Sequence, residues 1–144
     1  MTRILITGGN GQLGQMFQSI FSGNEEVEVV PRALLDITNE EQVLKIFGQY
    51  QPELVMHTAA YTAVDSCETN QRQAFEVNSL GALNVAKACE QYGATMIYFS
   101  TDYVFDGLKQ QPYIEEDVPN PINIYGMSKW LGEHYPQLNL HHSF

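Results

Sequence analysis

Tyr125 and Lys129 stand four residues apart in the run Ile124-Tyr-Gly-Met-Ser-Lys-Trp130. On a helix that spacing puts both side chains on one face. A phenol titrates near ~10, and a neighbouring ammonium favours its phenolate and lowers that value. The pair therefore reads as a proton donor tuned toward neutral pH. A second feature is Gly8-Gly-Asn-Gly11-Gln-Leu-Gly14, which satisfies both G-x-x-G-x-x-G (Gly8, Gly11, Gly14) and G-x-G-x-x-G (Gly9, Gly11, Gly14). Such glycines make a tight turn, let a pyrophosphate approach the backbone and let the following helix pack close to its strand. The helix N-terminus then adds partial positive charge. A third is Ser100-Thr-Asp102 at the end of a β-rich run. Thr101 there could donate a hydrogen bond to a substrate carbonyl, although Ser, Thr and Asp also favour ordinary turns. With Tyr125 and Lys129 on the next helix, Thr101 completes a Thr/Tyr/Lys trio.

The cofactor type is less sharply drawn. An NAD site usually places an acid at the end of the second strand to bind the ribose 2′-OH. That position here is Pro31-Arg32-Ala33. Arg32 could accept a 2′-phosphate, which leans the cofactor toward NADPH over NADH, or could equally be a solvated surface arginine. Asp36, in the next segment, could reach the adenine or ribose; an exposed loop aspartate is the alternative.

These residues need a scaffold, and the chain supplies one. Ile4, Leu5 and Ile6 form a short apolar run that stops at Thr7-Gly8-Gly9, and Leu13, Met16, Phe17, Ile20 and Phe21 then recur at helical spacing. Val27–Val30 reads as a second strand. Thr38 with Glu41 reads as a capping box, followed by the stripe Val43, Ile46, Phe47 and Tyr50. Leu54–Met56 is the third strand, Arg72 to Tyr92 a long helix, and Thr95–Phe99 the fourth strand. A Pro/Asn/Asp-rich loop from Asp106 to Asn123 leads to the last helix. This alternation predicts an α/β fold, a doubly wound parallel sheet with helices on both faces. The pattern ends after Tyr135. His141 and His142, adjacent and without a third ligand, read as tail rather than as a metal site.

At 144 residues the length suits about one domain. Seventeen acidic against seven basic residues give a net charge of -10. Such a surface repels phosphate backbones, so no nucleic-acid partner is expected. Backbone N–H groups can still hold a phosphorylated ligand. Cys67 and Cys89 sit in no metal-ligand spacing and read as buried free thiols, which favours a reducing compartment. No run approaches the ~20 apolar residues of a membrane span, and no cleavable signal opens the chain. A cytoplasmic protein is expected.

Six strings together resemble the extended short-chain dehydrogenase/reductase family, in its dTDP-4-dehydrorhamnose reductase branch. They are Gly8–Gly14, Leu35–Thr38, His57-Thr-Ala-Ala-Tyr-Thr-Ala-Val-Asp65, Val77-Asn-Ser-Leu-Gly-Ala-Leu-Asn-Val85, Ser100-Thr-Asp-Tyr-Val-Phe-Asp-Gly107 and Pro121-Ile-Asn-Ile-Tyr-Gly-Met-Ser-Lys129. The resemblance implies an NAD(P)-binding Rossmann-like domain over residues 1–133. It makes Tyr125 the general acid, Lys129 its activator and ribose holder, and Thr101 the group that polarises the ketone. Gly11, Gln12, Leu13, Asp36, Ile37, Ala59, Ala60, Tyr61 and Phe99 would line the cofactor, and Thr101 and Asp102 would face the sugar. The implied reaction is hydride transfer from NADPH or NADH to the 4-keto group of dTDP-4-dehydro-β-L-rhamnose. Its partner is thus a nucleotide sugar, and a homodimer is left open. Members of the family are longer, with a further C-terminal portion, and residues 134–144 read as a tail unlike them; the chain resembles a truncated member. Two alternatives stand beside this. One is a non-catalytic cofactor-binding subunit, as in a relative that serves a methionine adenosyltransferase. The other is a nucleotide-sugar epimerase or dehydratase.

Overall fold

A computed structural model describes residues 2–138 of the chain. Strands β1 (Ile4–Thr7), β2 (Val27–Val30), β3 (Leu54–His57) and β4 (Thr95–Tyr98) form one sheet in the order β2-β1-β3-β4. Every pairing is parallel. Between and after the strands come α1 (Gln12–Ile20), α2 (Glu40–Tyr50), α3 (Val64–Thr69), α4 (Gln71–Phe75), α5 (Ala82–Tyr92) and α6 (Ile124–Leu138). The chain leaves β1 in one direction and returns past it to β3 and β4 in the other. Right-handed crossovers then put α1 on one face and the later connections on the opposite face. This is the doubly wound sheet expected, and its point of reversal lies beyond the carboxyl ends of β1 and β3, where such sheets bind ligands.

The two faces are unequally covered. Leu5 and Val55 of the strands meet Val43 and Phe47 of α2, Val85, Ala88 and Cys89 of α5, and Leu35 and Ile37 of the loop after β2. Fully burying each large side chain of this core contributes about 1.5–3 kcal/mol. On the other face the expected stripe of α1 is only partly used. Met16 is 48% exposed and Ile20 64%, and Gly14 is the buried residue of the helix. The reason is geometric: α1 packs chiefly on β1 and β2, and among the described residues no second helix closes over its outer flank.

Local signals were displaced at two places. The cap of α2 is Asn39 rather than Thr38: Asn39 Oδ1 accepts from the Gln42 amide at 3.1 Å. Thr38 instead turns its hydroxyl to Asp36 Oδ1 at 2.7 Å. The long helix expected from Arg72 to Tyr92 is not uniformly α. Residues Glu76–Gly81 between α4 and α5 form a π-helical turn. At the other end α6 continues past Tyr135 and Pro136 to Leu138. The expectation for His141 and His142 lies outside the described residues. Both Cys67 and Cys89 are buried free thiols. No helix among the described residues is long and apolar enough to cross a membrane.

Candidate active site

The glycine turn is built by close approaches. Gly8 has φ +77°, and a Cβ there would lie 2.7 Å from the backbone N and Cα of Ala59. At Gly14 a Cβ would lie 2.3 Å from the Gly8 carbonyl oxygen. Neither position has room for a side chain, and Gly8 also needs the left-handed backbone that glycine adopts readily. The Gly11 amide donates to Gly8 O at 2.9 Å and so closes the turn. Gly11 then begins α1 with no side-chain cap, so the first amides of the helix, those of Gln12 and Leu13, are not claimed by a capping oxygen.

Beside this turn lies a cleft formed by three loops. Gly8 comes from the turn after β1, Arg32, Leu35, Asp36 and Ile37 from the loop after β2, and Ala59, Ala60 and Tyr61 from the loop after β3, with Val77 closing one wall. Thr38 donates to Asp36 Oδ1 through both its hydroxyl and its amide. The hydroxyl bond leads in holding the Asp36 carboxyl below its usual range, and Arg32 adds to the effect. Arg32 and Asp36 thus share one cleft.

The acid–base residues come together at the carboxyl end of β4. Tyr125 is 9% exposed and Lys129 3%. Lys129 Nζ donates to the Phe99 carbonyl at 2.7 Å and lies 4.3 Å above the centre of the Tyr98 ring. Burial brings its ammonium down to about 8, opposed by Glu133. Tyr125 behaves oppositely to the sequence expectation. Its phenol is raised, not lowered, with burial the main cause; Cys67, Asp102 and Tyr103 act in the same sense, and the Thr101 hydroxyl opposes them. The causes of the shift do not include Lys129, whose ammonium meets Phe99 O and the Tyr98 ring. The trio is nonetheless one cluster: Thr101 faces the Tyr125 phenol, and Lys129 lies one helical turn further on. The Thr101 hydroxyl also donates to Asp102 Oδ1 at 3.2 Å. Thr101 and Asp102 face a second, open cleft of about 690 Å³ between the loop after β4 and the Trp130–His134 side of α6.

One residue in this framework carried no role in the sequence reading. Asn78, 1% exposed in the π-helical turn, ties the loop after β3 to α6. Its Oδ1 accepts from the Tyr61 amide at 2.7 Å, and its Nδ2 donates to Tyr61 O at 3.0 Å and to Ser128 Oγ at 2.9 Å. Ser79 Oγ donates to Ser128 O at 2.8 Å. A π-helical turn is uncommon and often marks a functional position; here it coincides with the bonds that dock α6. Only the string Val77–Val85 hinted at it, and helical periodicity did not.

The chain is similar to known proteins over nearly its whole length. A family model described as the RmlD substrate binding domain matches residues 1–142. The spore coat polysaccharide biosynthesis protein SpsK of Bacillus subtilis is 40% identical over 134 residues, covering 92% of this chain and 47% of that protein. A dTDP-4-dehydrorhamnose reductase of Aggregatibacter actinomycetemcomitans is 39% identical over 135 residues, covering 92% of this chain and 46% of that protein. The crystal structure of the dTDP-4-dehydrorhamnose reductase of Bacillus anthracis in complex with NADP superposes with a TM-score of 0.93 at 42% identity, covering 99% of this chain and 51% of that one. The chain thus spans about half the length of the relatives it matches. A shared fold and a family match over nearly all of its residues place it: the chain belongs to the RmlD substrate binding domain family, alongside proteins named dTDP-4-dehydrorhamnose reductase.

Proposed function

We propose that this chain carries the cofactor-binding and proton-donating half of an NAD(P)H-dependent reductase. Its reaction is reduction of the 4-keto group of dTDP-4-dehydro-β-L-rhamnose to dTDP-β-L-rhamnose, in the cytoplasm. The observation that carries this reading is the gathering of Thr101, Tyr125 and Lys129 at the end of β4, on the same edge of the sheet as the glycine turn. A dinucleotide fits the residues present. The space that a Cβ would fill at Gly8 and Gly14 is the space a close backbone turn needs, and the uncapped start of α1 suits a pyrophosphate. Gly11, Gln12 and Leu13 would meet the phosphates, Asp36 and Ile37 the adenosine half, and Ala59, Ala60, Tyr61 and Phe99 the remainder. Arg32 in the same cleft supports NADPH over NADH by offering a cation to a 2′-phosphate.

When bound, the reduced nicotinamide supplies the hydride. Tyr125 then supplies the proton to the ketone oxygen. A phenol raised by burial keeps its proton at neutral pH, the form a general acid must have. The Thr101 hydroxyl would hydrogen-bond the same oxygen. Lys129, at about 8, retains a proton near neutrality and offers charge to the phenolate left behind. Residues 1–133 carry this unit, and the sugar is completed by contacts beyond it.

The test is made in two forms of the protein. The 144-residue chain should bind NADPH and NADH but show little turnover. A chimera in which residues 1–138 replace the matching part of a full-length relative should oxidise NADPH only when dTDP-4-dehydrorhamnose is present. An inactive chimera that still binds NADPH would overturn the reductase reading in favour of a cofactor-binding subunit.

A further inference from the structure

We propose that Tyr98 is a positioning residue for Lys129, its ring serving as the shelf on which the ammonium rests at the carboxyl end of β4. The role deepens the reductase reading and takes its catalytic meaning from it.

The row at the carboxyl end of the sheet is unusual in composition. In register, Thr7 pairs with His57, and His57 pairs with Tyr98. Buried parallel strands ordinarily carry apolar residues, yet this last row is polar across three strands. Thr7 is 0% exposed and His57 1%. Thr7 Oγ1 and His57 Nδ1 share a hydrogen bond of 2.9 Å. The His57 ring stacks on Tyr98, with centroids 5.8 Å apart and planes 19° apart. Tyr98 then holds Lys129 at both ends. Its hydroxyl donates to the Lys129 carbonyl at 3.1 Å, and the Lys129 Nζ lies 4.3 Å over its ring. That is within the roughly 6 Å at which a ring face attracts a cation.

Gly132 gives independent support. A Cβ there would come within 2.4 Å of the Tyr98 hydroxyl oxygen. The helix that carries Lys129 therefore keeps open the space that the phenol fills. A ring also suits this task better than a carboxylate. It attracts the ammonium through its face, while an ammonium has three N–H donors and Phe99 O takes one. The other groups facing Lys129 are Glu133 from α6, which favours the charged form, and His57 from β3. Burial holds His57 neutral, at about 3, helped by Lys129 itself.

The test is proton NMR of the 144-residue chain, following the ε-methylene signals of Lys129 from pH 6 to 11. In the wild type these signals should lie upfield of those of Lys45 and Lys87, displaced by the ring. Tyr98→Phe keeps the ring and should keep both the displacement and the titration midpoint. Tyr98→Met fills the space without a ring. It should lose the displacement and lower the midpoint by about half a pH unit or more, the size expected from a lost cation–ring attraction. A Met variant with an unchanged or higher midpoint, or a Phe variant that behaves like it, overturns the proposal. Should Tyr98→Met not fold, the wild type decides alone, since undisplaced Lys129 signals overturn it equally. Neither readout needs turnover, so failure of the reductase assay leaves this result standing.

Discussion

The two halves of the site are made by different means. Around Gly8 and Gly14 the work is done by backbone: close approaches of 2.3–2.7 Å that exclude any Cβ, and an uncapped helix start. Around Tyr125 and Lys129 it is done by burial. Both side chains are displaced from their ordinary protonation ranges mainly because water is withheld from them. A backbone cradle is set by residue type at a few positions and is insensitive to remote packing. A desolvated acid–base pair depends on everything that docks α6 against the sheet, including Asn78, Ser79 and Tyr98. Damage to the first half should therefore abolish binding, and loss of the Tyr125 phenol from the second should leave binding intact while removing chemistry.

The sharpest break between the two is Tyr125→Phe. In the chimera it should lower kcat by about 10²–10⁴, the usual worth of a positioned acid, while NADPH affinity of the 144-residue chain stays within about twofold. An equal loss in both measurements would merge the two halves into one. Asn78→Ala comes next, because it takes the acceptor from the part-buried Tyr61 amide and a donor from both Tyr61 O and the buried Ser128 Oγ. A cost of about 1–3 kcal/mol in denaturant unfolding is expected, with weaker NADPH binding as the Tyr61 loop loses its anchor. Normal stability and affinity would show that the halves are not joined through this residue.

A smaller effect follows from pH. His57 is held at about 3 in the fold against 6.5 when free, by burial first and Lys129 second. The unfolded chain thus takes up a proton below 6.5 that the folded chain refuses. Its contribution to stability is intact above that pH and is lost as pH falls toward 3, with a slope approaching about 1.4 kcal/mol per unit for one proton. Denaturant midpoints from pH 7 to 5 should fall less steeply in His57→Asn than in the wild type; identical slopes would contradict the buried neutral imidazole. The smallest effect belongs to Arg32→Ala. It should weaken NADPH by about tenfold or less and leave NADH nearly unchanged, as expected for loss of one charge-assisted contact at a partly exposed site.

What could be read in the sequence divides along the same line. Periodicity and glycine spacing sufficed for the parallel sheet and for the turn at Gly8–Gly14, because hydrophobic pattern and the need for a missing Cβ are properties of residue type. The sign of the Tyr125 shift was not legible. It depends on how deeply the docking of α6 buries the phenol, since burial is the main cause of the raised value. The cap of α2 moved from Thr38 to Asn39 because the Thr38 hydroxyl found Asp36. The π-helical turn at Asn78 was hidden inside a regular helical pattern, since its causes are bonds to Tyr61 and Ser128, distant in sequence. Met16 and Ile20 matched a core stripe, but only the topology tells that, among the described residues, α1 packs chiefly on β1 and β2.

On the proposed reading, the backbone turn of this chain is a working dinucleotide cradle. Calorimetric titration of the 144-residue protein with NADPH, beside Gly14→Val, tests it most directly. Saturable one-site binding by the wild type, with none by the folded variant, is the predicted result. No saturable binding by the folded wild type, or equal binding by both proteins, would contradict it.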